Sequence, residues 1–292
     1  MPSPTEAAGS VPQSAEEFLR AFHDGSPGKQ SAGVEARGTT RGRTSYQELA
    51  DQVGDVQRVL DLGCADGALL EVLAERGVPT LAGIDLSEAE LALARRRPNL
   101  SNADLRRGRA QELPFPNASF DAVVSHMAFM LMVDPQQVAI EAARVLGPGG
   151  LLAVAVGGGA VAGEAMELFV SLARPYFQAA AAIGRRIPRL GDRRARTREG
   201  LDEVLAPAGF TPVSWESIVV DQLGTPEQVW ESNLATFYDI VVLDVDQLTR
   251  LREEFLDESA PLLVDGRLAC GMQINIATTH LTSTVTGSLK LP

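Results

Sequence analysis

The sequence predicts an α/β fold built on a parallel sheet, and three observations carry that prediction. First, the apolar run Val59-Leu60-Asp61-Leu62 leads into Gly63, Ala65 and Gly67, and a helical pattern in Leu69, Leu70, Leu73 and Ala74 follows. This reads as a strand, a tight glycine-rich turn and a helix, a unit that lets a ligand approach bare backbone beside the free amides of a helix start. Second, another apolar run, Thr80 to Ile84, delivers Asp85. In a parallel sheet the two strand ends lie side by side, so Asp85 would project toward a ligand at the turn, where a carboxylate can accept from both hydroxyls of a ribose. Third, Phe120 to Ser125 and Leu151 to Val156 are two more strand-like runs, separated by a helix that ends over Ala142 to Leu146 and by the turn Gly147-Pro148-Gly149-Gly150.

Totals bound the possibilities. A chain of 292 residues that is 45% hydrophobic can bury a substantial core. The net charge of −12 argues against general nucleic-acid binding, because a phosphate backbone would be repelled except at a local basic patch. Cys64 and Cys270 are the two cysteines, too few and too distant for a disulfide framework, and the three histidines are scattered without metal-ligand spacing. Neither an internal repeat nor a Ser/His/Asp nucleophile turn is present. Val145 to Gly163 is uncharged, yet its glycines and Pro148 suit a turn and a buried strand better than a membrane span. The N-terminus lacks a basic-then-apolar pattern, so the expected location is cytoplasmic, with no membrane partner.

In chain order, residues 1–14 read as a disordered leader, with Ser14 capping a short helix through Arg20. Asp24 to Arg43 shows no period and reads as a loose segment, and a helix is expected over Tyr46 to Val53. Glu88 to Arg97 is an amphipathic helix whose closing arginines, Arg95 to Arg97, suit a solvated, dipole-matched end. His126, Met127 and Met130 follow the fourth strand, at the sheet edge where ligands bind in open α/β folds. Met166 to Phe177 is amphipathic and continues over Ala179 to Ile183. Seven arginines then fall in residues 185–198, namely Arg185, Arg186, Arg189, Arg193, Arg194, Arg196 and Arg198. They suit either an anionic substrate or acidic carrier domain, or a solvated loop paired with the chain's own carboxylates. Thr197 to Leu205 is a capped helix, Gly209 to Val220 leads to a sixth strand, Thr225 to Phe237 and Val245 to Leu263 are helical, Ala269 to Ala277 is a closing strand, and the tail after Thr282 is expected to fray.

The ordered motifs VLDLGCADG, GIDLSEAEL, RAQELPFPNASFDAVVSHMAFMLM and ARVLGPGG, over residues 45–157, resemble the class I S-adenosylmethionine-dependent methyltransferases, in particular the small-molecule type 11 group. The alternative is an unrelated nucleotide-binding fold such as a nicotinamide enzyme, for which Gly63, Ala65 and Ala68 imitate a degraded G-x-G-x-x-G. The resemblance implies a Rossmann-like seven-stranded sheet with helices on both faces and a helical cap. It divides the chain into a leader and lid (1–44), a core (45–160 with 197–223 and 265–282), cap insertions (161–196 and 224–264) and a tail (283–292). It also implies S-adenosyl-L-methionine as cofactor. Gly63, Ala65 and Gly67 would cradle its methionine end, Asp61 would support that loop or receive the ammonium, Asp85 would bind ribose, Leu86 would cover the adenine, and Ala110 and Gln111 would meet its edge. Family members commonly carry an acid just before that alanine; here the place holds Arg109, a donor that cannot replace an acceptor.

A sulfonium methyl is already activated, so transfer needs in-line placement more than strong acid–base help. His126 is a candidate general base or a substrate holder, with a structural histidine as the alternative. Tyr46 would touch cofactor or substrate, or pack its helix on the sheet. Met127, Met130, Arg193, Arg194 and Tyr238 are the substrate-side candidates; Trp230 and Phe237 are expected to pack the cap helices together. The expected function is methyl transfer to a small metabolite, anionic or carrier-bound, in secondary metabolism such as antibiotic biosynthesis. Relatives of these enzymes also perform cyclisations and eliminations, including aziridine-type ring closure with loss of an anion, and a non-catalytic binding partner is a third possibility.

Overall fold

A computed structural model describes residues 14–39 and 41–282. The expected leader over residues 1–13 and the tail from residue 283 lie outside the described residues. The chain opens with α1 (Ala15–Gly25), α2 (Lys29–Glu35), the two-residue strand β1 (Gly38–Thr39) and α3 (Ser45–Asp51). The glycine-turn unit is β2 (Arg58–Leu62) and α4 (Ala68–Glu75), followed by β3 (Thr80–Asp85), α5 (Glu88–Ala94), β4 (Asp104–Arg107) and β5 (Phe120–His126). Next come α6 (Pro135–Val145), β6 (Leu146–Ala160), α7 (Ala165–Ala182), α8 (Arg198–Leu205), β7 (Ser214–Asp221) and β8 (Leu223–Gly224). The chain then forms α9 (Pro226–Thr236), α10 (Val245–Glu258), β9 (Leu268–Ala269) and β10 (Met272–His280).

The main sheet has the order β1-β7-β10-β6-β5-β2-β3-β4. The family resemblance implies seven strands, of which β4 is not marked by a sequence pattern; β1 adds an eighth, pairing at the edge through Gly38↔Asp221 and Thr39↔Val220. β6, β5, β2, β3 and β4 run parallel, whereas β10 is antiparallel to both β6 and β7. From the central β2 the chain builds outward through β3 and β4, then returns to place β5 on β2's other side. The crevice at that reversal, beyond the carboxyl ends of β2 and β5, is where open α/β sheets bind ligands.

Alternation along the strands feeds two cores. Val59, Leu81, Ala122 and Val124 face one, covered by α3, α4, α7, α9 and α10 through residues such as Leu49, Leu70, Phe169, Trp230 and Phe255. Leu60, Leu62, Ile84 and Val123 face the other, covered by α6 and α8 through Val138, Ala142, Leu201 and Leu205. Trp230 and Phe237 both pack on Phe169, with ring centroids 5.7 and 5.3 Å away, and so join α7 to α9. No helix among the described residues is long and apolar enough to cross a membrane.

Three local expectations need correction. The helix capped by Ser14 continues past Arg20 to Gly25, where it buries Phe18 and Leu19. The supposedly loose residues 24–43 contain α2 and β1. Long-range bonds hold them: the Gly28 amide donates to Glu90 (2.9 Å), and Gln30 to the Ala235 carbonyl (2.9 Å). The α5 helix stops at Ala94, and Arg97, unlike the exposed Arg95 and Arg96, is half-buried; its guanidinium bonds the Asp66 carbonyl and carboxylate, both at 2.6 Å, and reaches Glu71.

Gly67 sets the spacing between α4 and the chain after α5. It has φ +79°, and a Cβ there would sit 2.7 Å from Leu100 Cδ1 and 3.1 Å from Ala94 Cβ. Gly67→Ala should therefore destabilise the fold by about 1–3 kcal/mol through left-handed strain and overpacking. Urea denaturation of the two proteins measures this.

Candidate functional site

A cavity of about 250 Å³ opens at the carboxyl ends of β2, β3 and β5. Gly63 and Ala65 form its floor with positive φ values of 74° and 45°. Gly63 is required sterically, since a Cβ would lie 2.5 Å from the Ala128 Cβ. The turn is held by its own backbone and by one side chain: the Gly63 and Cys64 amides donate to the Ile84 carbonyl (2.9 and 3.1 Å), and the Ala65 amide donates to Asp85 Oδ2 (2.9 Å). Asp85 Oδ1 accepts from the Ser87 amide at 2.8 Å. Burial raises the Asp85 pKa, and those two amides oppose the rise.

Asp61 lies beneath the turn, 2% exposed, and its Oδ1 has no hydrogen-bond partner among the described residues. Burial foremost, then the charge of Asp85, holds its carboxyl well above the usual range. Asp61 is also a lining residue of the cavity, and a buried carboxyl group without a donor suits a cationic ligand group. Leu86, Ala110 and Gln111 line the cavity as expected; the Gln111 amide nitrogen donates to the Val133 carbonyl (2.6 Å) and to Glu16 (3.2 Å). Arg109 has a partner that the sequence did not reveal. It forms an ion pair with Glu16 of α1 (2.8 Å), so a carboxylate does reach this loop, from a remote segment.

Across the cavity His126 ends β5. Its Nε2 lies 2.9 Å from Ser45 Oγ, and the Tyr46 ring sits 4.4 Å from its own. Burial pushes the imidazole pKa down to about 4 and raises that of the Tyr46 phenol. Both side chains are therefore neutral near pH 7. Met127 follows with φ +56°, a strained value for a methionine, and together with Met130 walls the cavity. Tyr238 lines the opposite rim, where its hydroxyl meets His23 Nε2 at 3.2 Å while His23 Nδ1 meets Glu90 at 3.1 Å.

Three of the expected site residues stand apart from this cavity. Gly67 does not line the cavity, because it is committed to the packing beside Leu100. Arg193 and Arg194 do not line it either: Arg194 turns back onto Asp192 (2.8 Å), and Arg185 pairs with Asp244 (3.2 Å). Here the basic stretch is at least partly matched by the chain's own carboxylates. Among the described residues, no cluster of metal-ligating side chains occurs.

Residues 60–154 match the family described as Methyltransferase domain. That segment, about a third of the chain, is similar to the methyltransferase-domain family. The chain is 39% identical over 108 residues to a fatty-acid O-methyltransferase of Mycolicibacterium smegmatis, covering 36% of this chain and 39% of that protein. It is 38% identical over 101 residues to the 27-O-demethylrifamycin SV methyltransferase of Amycolatopsis mediterranei, covering 33% of this chain and 37% of that one. The chain thus spans about two fifths of the length of the curated relatives it matches. Among solved structures, the (4+2)-cyclase SpnF superposes with a TM-score of 0.55 at 20% identity, over 93% of this chain and 98% of that one. Phosphoethanolamine N-methyltransferase 2 of Haemonchus contortus superposes with a TM-score of 0.55 at 18% identity, over 92% and 60%. Such distant likenesses show the fold alone.

The segment that matches the methyltransferase-domain family supplies the floor and the His126 edge of the cavity. Its roof, from α1 and α2 with Glu16, His23 and Arg37, lies outside the matched residues, and no local pattern marks those side chains as site residues.

The depressed His126 pKa has a consequence for stability. The unfolded imidazole binds a proton near pH 6.5, the folded one only near 4, so His126's contribution is complete above 6.5 and is lost as pH falls toward 4. Denaturation at pH 7.5 and pH 5 should show wild type losing on the order of 1–2 kcal/mol more than His126→Gln.

Proposed function

We propose that this protein is an enzyme that transfers a methyl group from S-adenosylmethionine to a small-molecule acceptor held between His126 and the chain at the end of α9, at Ala235, Thr236 and Tyr238. The observation that carries the reading is the orphaned Asp61 Oδ1, an unpartnered acid atom at the floor of a glycine-turn cavity. It fits the ammonium of the cofactor's methionine end. Asp85 spends one lone pair on each oxygen for Ala65 and Ser87, and a carboxylate has about four acceptor sites, so two remain for the ribose hydroxyls. Leu86, Ala110 and Gln111 are placed to enclose the adenine.

When bound, S-adenosylmethionine supplies a methyl on a positively charged sulfur. The chain's own contribution is position and dryness. An imidazole with a pKa near 4 is a weak base at pH 7, so His126, fixed by Ser45 and Tyr46, orients the acceptor rather than removing its proton. The end of α9 closes one side of the cavity through Ala235 and Thr236, and α1 with α2 forms a roof that excludes water. A role in secondary metabolism is supported by the likeness to the rifamycin methyltransferase, and a cytoplasmic location by two free, buried cysteines.

Calorimetric titration with S-adenosylmethionine and S-adenosylhomocysteine tests the reading. Wild type should bind both, and Asp85→Ala should weaken both at least tenfold. Absence of binding at millimolar ligand in wild type would sink it. A pH series adds a separate check. Burial raises the Asp61 pKa in the ligand-free protein, and an ammonium beside it favours the ionised carboxylate, so binding should lower that pKa and release protons where the two states differ. Affinity should therefore rise with pH across the range in which the raised carboxyl titrates, with a binding enthalpy that depends on the ionisation heat of the buffer. Asp61→Asn should flatten that dependence.

A further inference from the structure

The charged lining of the cavity is asymmetric. Its carboxylates, Glu16, Asp61 and Asp85, lie on α1, β2 and β3. The wall facing them, made by Val34, Val220, Thr236, Met272 and Ile274, has one charged member, Arg37. Arg20, Lys29 and Arg109 also border the cavity, but all three are exposed, and Arg109 is paired with Glu16. Arg37 is half-buried and forms no ion pair among the described residues.

The position of Arg37 is fixed by the backbone. It immediately precedes β1, whose pairing with Val220 and Asp221 brings the side chain over the upper end of β10. Every partner of its guanidinium is neutral. One terminal nitrogen, Nη2, donates to the Ser232 hydroxyl, the Ser232 carbonyl (3.4 Å) and Thr236 Oγ1 (3.0 Å). Nε reaches Gln222 Oε1 at 3.4 Å. The other terminal nitrogen, Nη1, has only the Met272 sulfur, at 3.6 Å. Burial lowers the guanidinium pKa from its ordinary value without discharging it.

A structural tie between β1 and α9 explains the bonds made by Nη2 and Nε. It does not explain a charge, since a neutral donor would serve, nor an Nη1 left against a thioether. A half-buried cation without a counter-ion is costly, and a carboxylate entering from the cavity would relieve that cost through a charge-assisted bond. The surrounding side chains are apolar, so the rest of such a ligand would be apolar too.

Building on the methyl-transfer reading, we propose that Arg37 is a specificity residue that anchors a carboxylate on the methyl acceptor, which is an apolar acid. The strand register sets the separation between anchor and reacting end. His126 pairs with Ala155, and Ala155 with Ile276. Met272 lies four residues from Ile276 along β10, roughly 13 Å at the usual strand rise. The acid group is thus held away from His126, and the atom that is methylated is a different group at the far end of the substrate.

Octanoate and its neutral counterpart octanamide are suitable probes, titrated into the full chain with and without saturating S-adenosylhomocysteine. The expected result is at least tenfold tighter binding of octanoate. Arg37→Met should bring octanoate down to the octanamide level, while S-adenosylhomocysteine affinity stays within twofold. Thr236→Asp keeps a partner for Arg37 and places a carboxylate beside it, so it should abolish the preference for octanoate even where Arg37→Met does not fold. Equal binding of the two probes to wild type, or an undiminished octanoate preference in Thr236→Asp, would overturn the anchor. Failure of wild type to bind S-adenosylhomocysteine would instead remove the methyl-transfer reading, and the octanoate preference measured without it would stand or fall separately.

Discussion

The carboxylate of Asp85 is the constraint on which the site depends. It takes the amide of Ala65 from the turn after β2 and the amide of Ser87 from the start of α5, so one side chain joins the ends of two neighbouring strands. Without it, Ala65 at φ +45° would lack the bond that offsets its strain. The turn would then lose the shape that leaves room above Asp61. Because Asp85 and Asp61 share a buried region, the charge of Asp85 raises the cost of ionising Asp61, and the site is electrostatically prepared for a cation. Structure and ligand preference thus come from the same two carboxyl groups.

The second organising feature is the attachment of the N-terminal helices to both halves of the molecule. On the sheet side, Asp24 accepts from the Ser87 hydroxyl at 2.6 Å, His23 meets Glu90, and Glu16 meets Arg109. On the helical side, Gln30 and Arg37 bond α9, while Phe22 and Tyr238 pack with ring centroids 4.7 Å apart. These contacts are polar or aromatic at the cavity rim rather than a continuous apolar core. Such an attachment suits an element that must open for ligands to pass, since polar rim contacts exchange readily with water.

How much of this was legible in the sequence depends on whether the determinant was local. The floor was legible. The 59–67 turn, Asp85 and His126 follow from strand ends and glycine spacing, which are properties of short windows, while Ala110 and Gln111 follow from the family resemblance. The roof was not, because α2 has no apolar period and is stabilised by Glu90 and Ala235, residues far away in the chain. Arg37 was invisible for the same reason: its place is set by the two-residue pairing of β1 with β7. The arginine-rich stretch misled in the opposite direction. Its density over residues 185–198 suited either anion recognition or pairing with the chain's own carboxylates, and Arg194 and Arg185 are turned onto nearby aspartates, while the half-buried cation of the cavity, Arg37, lies elsewhere. Arg109 shows why spacing alone cannot give a site's charge, since its carboxylate partner comes from α1.

A crystal structure of the full chain with S-adenosylhomocysteine is the measurement that bears most directly on the central claim. The account predicts the ligand's ammonium within hydrogen-bond distance of Asp61 Oδ1, its ribose hydroxyls on Asp85, and its adenine between Leu86 and Ala110. A ligand seated elsewhere, or one that leaves Asp61 Oδ1 without a donor, would contradict it.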